Sequence, residues 1–169
     1  PDQARALLDS IDLPDNFEMD IWTFPEQRPY NPNAPKMAEL LQQDLRNVGL
    51  KANIVSLEQT TFLDRVAQGY HDSALLGWTA DNADPDNFLS NLLGCDAAKS
   101  GNNRSFWCHP QFDQLVQQAK QELDQATRQG LYHQAQQIFH QEVPWLTIAH
   151  SIQFQVHRSD IKGLKISPS

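Results

Sequence analysis

The sequence predicts an α/β fold, a parallel or mixed sheet covered by helices. Strand-like runs at 17–24, 50–58 and 73–78, helical apolar spacing between them, and short connections all point to that class. In order along the chain, "PDQARALLDS" places Ala4, Leu7 and Leu8 at helical spacing, and "DLPDNF" ends that segment. "FEMDIWTF" alternates Phe17, Met19, Ile21 and Thr23 against Glu18, Asp20 and Trp22, the signature of a half-buried strand. "PEQRPYNPNAP" follows with four prolines in eleven residues, and reads as an irregular loop.

Met37, Leu40, Leu41, Leu45 and Val48 then repeat at helix spacing up to Gly49, a suitable terminator. "LKANIVSLE" predicts the next strand, and Phe62, Leu63 and Val66 a short helix closed by Gly69. "SALLGW" gives the third strand, and "DPDNF" a helix start with Asp84 as cap, Pro85 in the first turn and Asp86 near the positive dipole end. "DAAKSGNNRSFW" reads as a polar loop between Cys95 and Cys108. Phe112, Leu115, Val116 and Ala119 mark a further helix, and Leu131, Ala135, Ile138 and Phe139 another that ends before Pro144. "WLTIAHSIQFQVH" is rich in strand formers.

At 169 residues the chain is expected to form one domain, 1–169. Thirteen Lys and Arg against twenty-one Asp and Glu give a formal charge of −8, with no basic cluster. The electrostatic footprint of a duplex-binding protein is missing, so nucleic acid is not an expected partner. No apolar run reaches the roughly 20 residues of a membrane span. The opening reads as the inside of a helix and "IKGLKISPS" stops without a closing element, so a piece of a longer protein is expected. Its compartment therefore cannot be read from a leader.

Twelve residues separate Cys95 from Cys108. That spacing fits neither a CxxC redox motif nor half a zinc ribbon. Two free buried thiols and a disulfide across the loop both remain open. The flexible polar segment favours the cross-link, which would remove denatured-state entropy equivalent to about 3 kcal/mol and imply an oxidising compartment.

The six histidines match no zinc pattern, and none is expected to hold a metal. Asp81, Asp84 and Asp86 fall at positions 1, 4 and 6 of a conceivable cation loop. The glycine at 6 and glutamate at 12 of an EF-hand are absent. Gly-rich phosphate loops and GxSxG elbows are absent too. A carboxylate pair for hydrolysis, with Asp81 as one member, has no positive support in the sequence but is not excluded by it. No cofactor is called for.

Helix capping accounts for Asp84 and Asp86 but not for Asp81, which follows a buried strand beside Trp78 and Asn82. A carboxylate there would attract an ammonium group. Arg28 also lies in a loop that leaves the carboxyl end of a strand, where ligands gather in sheets of this class. A solvated loop arginine is the alternative.

"FPEQRPYNPNAPKMAELLQQDLRNVGLKANIV" and "GWTADNADPDNFLSNLLGC", with the spacing to "SFWC" and "IAHS", resemble the periplasmic dipeptide-binding proteins, solute receptors of ABC importers. The similarity extends over nearly all of the chain. It implies most of the carboxyl-terminal lobe of a two-lobed periplasmic solute-binding protein, with the first lobe and the extreme tail missing. Such a fragment is expected to fold but to bind ligand weakly.

By the same resemblance, Asp81 in "GWTAD" matches the aspartate that holds a peptide's α-amino group, and Arg28 in "EQRPYN" the arginine that holds its carboxylate. Ala80 stands where relatives often have glycine. Tyr30 and Trp78 would supply aromatic walls, although ordinary packing explains each as well. Cys95 and Cys108 match the family's disulfide. The implied partners are a small peptide and a membrane permease, the implied compartment is the periplasm, and no catalysis is implied. Haem and glutathione are the alternative ligands.

Overall fold

Strands and helices alternate through the first half of the chain because apolar residues there switch between a period of two and a period near 3.6. The computed structural model describes residues 1–150, 152, 154 and 156–164. They fall into two compact units, Pro1–Gly77 and Trp78–Ser169.

In the first unit, α1 (Asp2–Asp9) is followed by β1 (Glu18–Thr23), α2 (Ala34–Asn47), β2 (Lys51–Ser56), α3 (Gln59–Ala67) and β3 (Ser73–Ala74). The strands form a three-stranded parallel sheet in the order β2-β1-β3. Glu18 lies beside Lys51 and Thr23 beside Ser56, while Ile21 and Trp22 face Ser73 and Ala74. The third strand is shorter than "SALLGW" suggested. Leu75 still donates its N–H to the Trp22 carbonyl at 2.8 Å, but beyond it the chain leaves the sheet.

The central strand is also more buried than its alternation implied. Ile21, Trp22 and Thr23 are all buried, because helices cover both faces of the sheet. Ile21 packs with Ala38 of α2, Ala52 and Leu75. On the opposite face, Trp22 and Phe24 pack with Phe62 and Val66 of α3. Asn33 caps α2 by accepting the Lys36 N–H at 3.1 Å, and Pro35 stands in its first turn. Gly49, at φ +95°, turns the chain into β2 in a left-handed conformation that suits glycine.

The second unit is helical: α4 (Asp86–Leu93), α5 (Cys95–Ser100), α6 (Pro110–Gln121) and α7 (Gln125–Glu142). Leu93, Phe112, Leu115, Val116, Ala119, Tyr132 and Ala135 make its buried core. The spacing of the α6 and α7 members matches the period read from the sequence. Asp124 caps α7, accepting the Thr127 N–H at 2.9 Å.

Residues 95–100, expected as loop, form α5 instead. Two alanines between an aspartate in the first turn and a lysine in the last favour a helix, and Asp96 pairs with Lys99 at 3.1 Å. A disulfide joins Cys95 to Cys108. Between them Asn103 is buried and donates to the carbonyls of Gly94, at 3.2 Å, and Trp107, at 2.8 Å. Cys108→Ala should therefore lower stability by about 3 kcal/mol. Urea melts of wild type with and without reductant, set beside the variant, check this: reduction should shift wild type only.

The strand expected within 145–157 is not formed among the described residues of that stretch; Ser151, Gln153 and Gln155 lie outside them. Leu146, Ile152, Phe154 and Val156 are exposed. A strand needs a neighbour to accept and donate its backbone hydrogen bonds, and none of the described strands pairs with this segment.

Candidate functional site

Two loops carry the residues singled out from the sequence, one in each unit. The first follows β1. Phe24 is buried against Phe62, ring centroids 4.9 Å apart, and fixes where the loop begins. Arg28 and Asn31 exchange backbone hydrogen bonds at 3.0 Å in both directions, so Pro29 and Tyr30 form the corner of a tight turn. Asn31 closes it, its Oδ1 accepting the Asn33 N–H at 3.1 Å.

The Arg28 guanidinium lies 5.8 Å from the Phe24 ring centre, within cation–π range. Among the described residues it forms no ion pair. Tyr30 is half-buried, and that burial raises its phenol above the usual range, partly offset by Arg28. A Cβ added at Gly77 would stand 2.2 Å from Tyr30 Cδ2, so the ring occupies space that only glycine leaves open.

The second loop runs from Trp78 to α4. Its three aspartates have different fates. Asp84 Oδ1 accepts the Asp86 N–H at 3.0 Å, but α4 starts one residue later than expected, with Pro85 rather than Asp84 at its N-cap position. Asp84 Oδ2 is also ion-paired with Arg128 of α7, and the Tyr132 hydroxyl donates to Oδ1 at 3.3 Å. Asp86 accepts from Ser90 and pairs with Lys120 of α6 at 3.1 Å. Asp81 is exposed and has no basic partner among the described residues.

Asn87 is the residue that sequence reasoning missed. Its Oδ1 accepts the Trp78 indole N–H at 2.9 Å and the Asp81 backbone N–H at 3.3 Å; its Nδ2 donates to Asp81 Oδ2 at 3.3 Å. The only sequence signal was a polar side chain one residue after a helix start, which solvent explains equally well.

The Asp86 N–H, and then the Arg128 guanidinium, hold the Asp84 carboxyl below the usual carboxylate range, against a smaller opposing effect of burial. A carboxylate depressed by folding adds stability that is complete above its unfolded value near 3.9 and is lost as pH falls through the lower folded value. Melting temperatures should hold between about pH 5 and 7 in this respect and drop below about pH 4. Asp84→Asn should flatten part of that drop, measured by thermal melts across the acid range.

The sequence pattern of bacterial extracellular solute-binding proteins, family 5 (middle region), matches residues 1–100. The chain belongs to that family. The dipeptide-binding protein of Escherichia coli (strain K12) is 44% identical over 168 residues, covering 99% of this chain and 31% of its own length. Heme-binding protein A of Haemophilus influenzae is 38% identical over 168 residues, covering 99% of this chain and 30% of its own length.

A solved structure of a dipeptide-binding protein from Pseudoalteromonas sp. SM9913 in complex with Met-Leu superposes with a TM-score of 0.89 at 45% identity, over 99% of this chain and 33% of that one. This family 5 chain thus spans about a third of the length of the relatives it matches. Its α/β architecture is that of the corresponding part of a periplasmic binding protein, and its relatives are solute-binding proteins rather than enzymes.

Proposed function

We propose that this chain is the ligand-binding part of a periplasmic ABC-importer receptor that captures dipeptides or short peptides by their charged ends. Asp81 takes the α-ammonium in a charge-assisted hydrogen bond, and Arg28 grips the α-carboxylate with its planar fork. Tyr30 and Trp78 offer apolar surface to the side chains between. The receptor delivers its cargo to a membrane permease and does no chemistry on it.

One observation carries the reading. Asp84 and Asp86 are spent on Arg128 and Lys120, whereas neither Asp81 nor Arg28 has an oppositely charged partner among the described residues. Two unspent charges of opposite sign suit a zwitterion. The kinship with dipeptide-binding proteins supports the same ligand class.

A second reading, haem capture, is favoured by the likeness to heme-binding protein A of Haemophilus influenzae. The test is calorimetry of the full-length protein with Met-Leu, glutathione and haemin, with haemin absorbance followed in parallel. Saturable heat with Met-Leu and unchanged dipeptide after incubation are expected. A saturable shift of the haemin band without Met-Leu heat would replace peptide by haem, and release of free methionine and leucine would reveal a hydrolase.

A further inference from the structure

We infer that Asn87 is a positioning residue of the ligand site, aiming Asp81 and Trp78 through a single side-chain amide. The inference rests on the proposed role of Asp81 as ammonium acceptor. Asn87 is only 9% exposed and sits in the first turn of α4. Both ends of its amide are in use. Oδ1 accepts from two N–H groups, of the Trp78 indole and the Asp81 backbone, while Nδ2 donates a hydrogen bond to Asp81 Oδ2.

That pattern fixes the orientation of the amide. Turning it over would set its NH2 against two N–H donors and its oxygen against a carboxylate. Asparagine is therefore the side chain of this length that meets all three groups. Aspartate would confront Asp81 with a second carboxylate, and leucine would leave the half-buried indole N–H without this partner.

The consequence for binding follows from which carboxylate oxygen is held. Oδ2 of Asp81 is occupied by Asn87, while Oδ1 makes no hydrogen bond among the described residues. The held oxygen limits rotation of the carboxyl, so less side-chain freedom is lost when an ammonium arrives. The base beneath Asn87 is itself anchored. Asp84 is tied to Arg128 and Tyr132 of α7, and Asp86 to Lys120 of α6. Two of the three aspartates thus hold the helix start that carries Asn87, and Asn87 presents the third.

The test compares Met-Leu with N-acetyl-Met-Leu on the full-length protein, as wild type, Asn87→Ala and Asn87→Leu. The quantity read is the ratio of the two affinities within each sample. A reduced folded fraction scales both affinities alike and cancels in the ratio, so a partly destabilised variant remains informative. Wild type should prefer the free amine strongly. In both variants that preference should shrink by about tenfold, the loss of a hydrogen bond to a charged group, with the N-acetyl affinity nearly unchanged.

An undiminished ratio, or an equal fall in both affinities, would reduce Asn87 to a structural role and leave the Asp81 reading standing. If wild type binds Met-Leu without preferring the free amine, the role of Asp81 fails from that arm alone, and the positioning role falls with it.

Discussion

Asp81→Ala in the full-length receptor should weaken Met-Leu binding by about 3–5 kcal/mol, more than a hundredfold, because the ligand ammonium would be desolvated with no counter-charge. Asp84→Ala should behave differently although it lies three residues away. Its carboxylate is committed to the Asp86 N–H, Arg128 and Tyr132, so its loss should appear in stability and leave the preference for a free amine largely in place. Isothermal titration of both variants, with a thermal melt of each, separates the two roles. Equal loss of affinity in the two would mean that the loop acts through its shape rather than through one exposed charge.

Phe112→Ala should cost about 3–5 kcal/mol of folding stability, from lost transfer energy and the cavity left behind. Phe112 is fully buried at the centre of the second unit, its ring edge-on to Trp107 with centroids 5.0 Å apart. Alanine suits a helix at least as well, so the penalty reports packing rather than helix propensity. The shift in the urea midpoint checks it at constant m-value. A loss under about 1 kcal/mol would mean that the surrounding cluster closes over the space, contrary to its close packing.

Local rules were enough to read the described helices other than α5, and two of the strands. Asn33, Gly49 and Asp124 act through neighbours within four residues, and α6 and α7 keep one face at 3.6-residue spacing. What escaped them depends on partners distant in sequence. The burial of β1 on both faces depends on α2 and α3 packing from opposite sides. The alternation of Leu146, Ile148, Ile152, Phe154 and Val156 is a strand pattern, yet a pattern cannot supply the neighbour that a strand must pair with.

The candidate site divides in the same way. Asp81 stood out because capping explained its neighbours, a local argument. That Asp84 is also spent on Arg128 depends on a contact 44 positions away. Asn87 differs again: it lies six residues from Asp81, close enough for inspection, but nothing in the sequence tells which way its side chain turns. The helix start places it, and the half-buried indole of Trp78 gives its amide a reason to face the loop.

The central proposal is recognition of a zwitterion by one acid and one base, each assigned to one end of the ligand. The most direct measurement crosses two protein variants, Asp81→Ala and Arg28→Ala, with two blocked ligands, N-acetyl-Met-Leu and Met-Leu amide, in full-length protein. Acetylation should cost wild type heavily but add little once Asp81 is gone, and amidation should add little once Arg28 is gone. Blocking either end at the same cost in every variant would contradict the account.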